Sequence, residues 1–156
     1  GTTIGYSLRG YDANNVLVAE VNKSTQLAPR EQRVIFHQAV ETDNRRIERT
    51  FISFDDDYTW YKQDAAEQVV EMTGYRLDKL DSAPSLEVDL RNTGVIPLEN
   101  LEIVAVLYNQ DENVEHVSRT YVDRLEAASD RTVFYSWREP FDNFVTQVEI
   151  FSRVRE

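Results

Sequence analysis

Residues 101–109 read LEIVAVLYN. Apolar side chains fill both parities of Leu101–Tyr108, and Glu102 is the one charge. That pattern predicts a central β-strand covered on both faces. Working outward, Asn109–Asn113 reads as a polar turn and Val114–Leu125 as a returning strand. Glu126–Asp130 turns again, and Arg131–Trp137 follows, rich in β-branched and aromatic residues. Glu139-Pro140 ends that run, because proline cannot donate to a ladder. Phe144–Val154 reads as a last strand. Upstream, Ser85–Asn92 alternates Leu86, Val88 and Leu90 against Glu87, Asp89 and Arg91, the mark of a strand with one wet face. Asp64–Leu80 reads either as a strand interrupted at Gly74 or, through Asp64–Val70, as a short helix.

The same series occurs twice. Tyr11–Asp12 answers Tyr108–Asn109. Then Val16–Val18, Leu27, Arg33, Ile35, Phe36, Ile47 and Ile52 answer Val114, Leu125, Arg131, Val133, Phe134, Val145 and Ile150, at an offset of 97 that becomes 98 after one inserted residue. A period this long means two copies of a domain rather than a solenoid. Copy one predicts strands at Thr3–Asp12, Val16–Leu27, Arg33–Val40 and Arg46–Phe54, with Ala28-Pro29-Arg30 as a turn. It has no counterpart of the strands from about Glu67 to Gly94. The expected organisation is an incomplete first module at 1–57, a linker at 58–66 and a second module at 67–156.

Net charge is −11, and 41% hydrophobic content is enough for a core. So acidic a surface repels phosphate backbones, which argues against nucleic acid as a partner. Fourteen Arg against three Lys, with the acidic excess, fits either salt adaptation or an Arg-biased genome. The moderate size of the excess favours the second. With no cysteine, disulfides, zinc thiolate sites and cysteine nucleophiles are excluded. Apolar runs of a few residues fall far short of the roughly 20 that span a bilayer as a helix, so a membrane is reached only through an anchor outside this chain. Asn22-Lys23-Ser24 is a glycosylation sequon.

At Leu107–Tyr108–Asn109, Tyr11–Asp12 and the Asn92-Thr93-Gly94 stop, the chain resembles FxLYD-type domains, with Leu27-Ala28-Pro29 and Trp137-x-x-Pro140-Phe141 as further matching points. The resemblance covers nearly all of the chain. It departs at Gly10, where the motif has leucine, and at Asn109, where it has aspartate. It implies an all-β protein of tandem immunoglobulin-like antiparallel β-sandwiches, the first lacking its N-terminal strands. It further implies a non-catalytic structural or interaction module, extracellular or at the cell surface and membrane-anchored in the full-length protein.

Candidate chemistry is sparse. His37 and His116 fall on different copies, and nothing in the spacing pairs them for metal or catalysis. Asp55-Asp56-Asp57 admits a calcium reading, but consecutive carboxylates diverge and no Asp-x-Asp-x-Asp-Gly loop is present, so an acidic linker is preferred. Glycines are isolated and no Gly-x-Ser-x-Gly elbow exists, so no catalytic residue, cofactor or metal site is assigned. Tyr58, Trp60, Tyr61 and Tyr75 form a candidate aromatic contact patch for sugar or protein, or else pack a hinge. The missing strands leave three readings: truncation, merging of the copies into one domain, or completion by a strand from another molecule. In the last, Ile4, Tyr6 and Leu8 would line the completed edge and copies would propagate into a filament. The expected partner is protein, including the chain itself; a carbohydrate- or calcium-dependent adhesive module is the other alternative.

Overall fold

The computed structural model describes residues 1–29, 32–37, 40–62 and 69–155. Its described residues are all-β, with nine antiparallel strands and no helix. The chain divides into two compact units, Gly1–Ala66 and Glu67–Glu156. The helical alternative at Asp64–Val70 lies almost wholly outside the described residues.

The second unit contains β4 (Val70–Asp78), β5 (Ser85–Asn92), β6 (Leu98–Tyr108), β7 (Val114–Leu125), β8 (Asp130–Ser136) and β9 (Gln147–Val154). They form two three-stranded sheets, ordered β4-β5-β8 and β7-β6-β9. Leu86, Val88, Leu90, Val133 and Tyr135 from the first sheet meet Leu101, Ile103, Ala105, Leu107, Val122 and Val148 from the second in one core. The alternation of β5 therefore does as its pattern demands: Leu86, Val88 and Leu90 are fully buried, while Glu87 pairs with Arg76 and Arg91 with Asp130 on the wet side. The Tyr135 hydroxyl crosses the core to donate to the Ile103 carbonyl at 3.3 Å, and burial pushes its pKa up. The interruption expected at Gly74 is a bulge between Met72 and Gly74. β9 starts at Gln147, three residues later than its alternation suggested; Phe144 stands 74% exposed before it.

β6 is buried on both faces from Leu101 to Leu107, as its sequence requires. Glu102 is 3% exposed and is held by Arg119 on β7 at 3.0 Å and by Arg153 on β9. Two guanidiniums reaching in from partly exposed positions make this buried carboxylate tolerable; stripped of them it would be a strongly destabilising uncompensated charge. Asn92 is fully buried at the end of β5. Its Oδ1 accepts from the Gly94 N–H at 2.9 Å, and its Nδ2 reaches the carbonyls of Ile96, Glu126 and Leu125 at 2.9, 3.0 and 3.3 Å. The Asn-Thr-Gly stop is thus a clamp joining the β5–β6 loop to the β7–β8 turn.

The first unit contains β1 (Thr2–Tyr11), β2 (Leu17–Leu27) and β3 (Arg49–Phe54), in the order β2-β1-β3. This sheet repeats β7-β6-β9 residue for residue. Gly10 pairs with Ala19 and Tyr11 with Leu17 across a bulge; Leu107 pairs with His116 and Tyr108 with Val114 across the same bulge. Leu8 pairs with Ile52 where Ala105 pairs with Ile150. The 97-residue offset holds to Leu27, which matches Arg124 rather than Leu125 by register, so the inserted residue falls after β2. Arg33–Val40, expected as a strand, is not one at 33–37 or at Val40; positions 38 and 39 are outside the described residues. Its counterpart β8 is a strand because it pairs with β5, and no described strand of the first unit corresponds to β5.

Where the second unit has Leu107, the first has Gly10, and the Ile47 side chain fills the space: a Cβ on Gly10 would lie 2.8 Å from its Cδ1. Gly10→Leu is expected to destabilise the first unit by about 1–3 kcal/mol, with Ile47→Ala relieving part of the loss, read from denaturant unfolding of the single and double variants. Asn92→Ala is expected to cost the second unit at least about 2 kcal/mol in the same assay, because it leaves buried loop carbonyls and an N–H without partners.

Candidate interaction surface

The hairpin turns are built by one side chain in each unit. Asp12 Oδ1 accepts from the N–H groups of Asn14 and Val16 at 3.0 and 2.9 Å; Asn109 Oδ1 accepts from Asp111 and Asn113 at 2.9 and 3.0 Å. Asn15 and Glu112 occupy the same left-handed position, with φ of 63° and 60°. Only one carbonyl-type oxygen is used, so aspartate and asparagine serve equally. The second atom differs: Asp12 Oδ2 takes Arg45, whereas Asn109 Nδ2 donates to Glu115, which also accepts from Asn143, the counterpart of Arg45. The backbone N–H bonds, with Arg45 beside them, lower the Asp12 pKa from its ordinary value. In both units this position builds the turn.

Ile4, Tyr6 and Leu8 lie on β1, the central strand of its sheet, paired with β2 throughout and with β3 from Tyr6 onward. Ile4 and Tyr6 are buried and the Tyr6 hydroxyl contacts His37 Nε2 at 2.9 Å. Tyr6 and Leu8 are paired on both sides, and Ile4 is paired with β2 on the same central strand. The remaining length of β1 is met by the segment after β3: Asp55 N–H donates to the Gly5 carbonyl at 2.9 Å, Thr2 Oγ1 to the Thr59 carbonyl at 2.8 Å, and Gly1 and Tyr61 exchange two backbone bonds. The expected linker therefore begins as part of the first unit.

Tyr58, Trp60 and Tyr61 are exposed on that segment, with Tyr58 and Trp60 edge to face at 6.2 Å. Tyr75 lies on β4 of the second unit. Asp55, Asp56 and Asp57 are all exposed, and no group of three or more His, Cys, Asp or Glu placed to hold a metal occurs among the described residues. His37 and His116 belong to different units. An open depression of about 450 Å³ lies on the outer face of β4-β5-β8, lined by Thr73, Asp89, Arg91, Asp130, Arg131 and Thr132. Its polar groups are partnered: Thr132 donates to Asp89 at 2.6 Å and Thr73 to the Asp89 carbonyl at 3.2 Å within the depression, and Arg131 donates to the Arg124 carbonyl outside it at 3.1 Å.

Sequence reasoning missed β3 as a surface. Its six residues are all exposed, with Phe51, Ile52 and Phe54 at 57, 48 and 49%. The sequence reading places a strand at Arg46–Phe54 and assigns no face of it to solvent. The available warning was that Phe51 and Phe54 stand where β9 has Glu149 and Ser152.

No known protein family, curated protein or solved structure matches this chain significantly.

The Trp137-x-x-Pro140-Phe141 stretch is structural. Phe141 stacks on His116 at 3.7 Å and meets Trp137 edge to face at 5.1 Å, and both aromatics pack on the core. His116 Nε2 is buried without a hydrogen-bond partner. Burial favours the neutral ring and lowers its pKa below 6.5, against the pull of Glu115 and Asp142. The unfolded chain then takes up this proton at higher pH than the folded one. The second unit should hold its full stability above pH 6.5 and lose it as pH falls below that value. His116→Phe is expected to flatten this dependence between about pH 5 and 7, measured by urea midpoints at each pH.

Proposed function

We propose that this chain is a non-catalytic structural or interaction module of a cell surface, built from tandem immunoglobulin-like β-sandwiches of the FxLYD type, the first lacking its N-terminal strands. The observation that carries the reading is the repetition of one three-stranded sheet, with the same register, bulge and side-chain-built turn. A duplicated scaffold whose conserved-in-copy features are all turn- and core-building serves spacing and contact. The strand order β4-β5-β8 facing β7-β6-β9 supports the immunoglobulin-like arrangement. Net charge of −11 and no cysteine suit a soluble, redox-indifferent surface whose partner is protein, with no nucleic acid and no cofactor. A membrane is reached only through an anchor outside these residues.

Lys23, Lys62 and Lys79 are exposed, so a membrane-impermeant amine reagent tests the location on intact cells making the natural protein. Labelling before lysis is the expected outcome; labelling only after lysis removes the surface assignment. Negative-stain images of the purified chain should show discrete particles, and long filaments would replace this reading with a strand-complemented polymer.

A further inference from the structure

We propose that β3 pairs antiparallel with β3 of a second copy of this chain, joining two β2-β1-β3 sheets into one. The inference deepens the interaction role above and names the partner.

Among the described residues β3 is the outer strand of its sheet. One side bonds β1 from Tyr6↔Phe54 to Tyr11↔Arg49, and the other side of the ladder faces outward. Such edges normally carry lysine, proline, a bulge or an inward-pointing charge that blocks pairing. β3 has none of these: Arg49-Thr-Phe-Ile-Ser-Phe54 holds its single charge at one end and three large apolar side chains in solvent. The duplicated sheet supplies the control. In β9, the same position of the other sheet, Glu149 stands for Phe51, Ser152 for Phe54 and Arg153 for Asp55, and Glu149 is held by the Tyr108 hydroxyl at 2.9 Å. Both edges carry three large apolar residues over these six positions, but Val148 of β9 is buried and Ile150 and Phe151 are half-buried, whereas Phe51, Ile52 and Phe54 of β3 all stand in solvent.

The strand is complementary to itself. Antiparallel pairing centred on Ile52 sets Ile52 against Ile52, Phe51 against Ser53 and Thr50 against Phe54, keeping each pair on one face. Phe51 then meets the other copy's Phe51 diagonally, and Phe54 its Ile52, within reach of aromatic side chains. Arg49 falls opposite Asp55, twice by symmetry, and both are exposed. A two-fold contact of this kind is isologous and closes at the dimer, unlike the open, propagating contact of donated strands. Six residues a side make a small interface, and −11 charges per copy oppose it, so association strengthens as salt screens that repulsion.

Sedimentation equilibrium over a concentration series on the purified chain tests this. The expected mass rises from 18.2 kDa toward twice that value. Ile52→Lys should abolish the rise. Arg49→Asp and Asp55→Arg should each weaken it about tenfold or more, and the double exchange should restore it. Circular dichroism checks that each variant is folded. A mass that stays monomeric at the highest concentration reached overturns the proposal, as does a dimer that survives Ile52→Lys or a charge exchange that fails to restore pairing. None of these results depends on where the protein resides, which the labelling experiment reads separately.

Discussion

A β-strand has no hydrogen bonds of its own, so each strand of this chain exists through the neighbour that accepts and donates along its edge. β6 is the clearest case. It is paired by β7 and β9 on its two sides, buried on both faces, and carries a carboxylate, Glu102, held by an arginine from each neighbour. β1 holds the same position in the first unit. β8 is a strand through β5. The equivalent stretch beginning at Arg33 has similar residues but no described counterpart of β5, and takes no strand form at 33–37.

Duplication shows which residues that constraint holds fixed. The bulge at Tyr11 and Tyr108 and the turn that follows are identical in geometry, because one side-chain oxygen captures two N–H groups in each. The two departures from the motif have separate explanations. Asn109 supplies the same oxygen as Asp12, so the turn does not distinguish them. Gly10 gives up the leucine side chain, and Ile47 occupies the volume. β3 and β9 have diverged as well: Phe51 and Phe54 stand where β9 has Glu149 and Ser152, and Ser53 where it has Phe151.

Much of the fold was legible in local pattern. Period-two alternation located β5, the doubly apolar run located β6, and Asn-rich and Pro-containing stretches located the turns. Other features depended on distant partners. Asn92 reads as a turn residue, yet its weight comes from carbonyls at Leu125 and Glu126. His116 reads as a sheet-surface histidine, yet it is stacked beneath Phe141. The aromatic patch reads as one group because its members are near in sequence, yet Tyr75 belongs to the other unit.

The sequence by itself determined the all-β class, the duplication, the turns and the faces of most strands, since these follow from residue type and spacing within one strand or hairpin. Only the tertiary structure decided which strand stands in the centre and which at the edge, because pairing joins residues tens of positions apart. That is why Ile4, Tyr6 and Leu8, expected at an edge, lie on the central β1, and why β3, with Phe51, Ile52 and Phe54, stands at an edge in solvent.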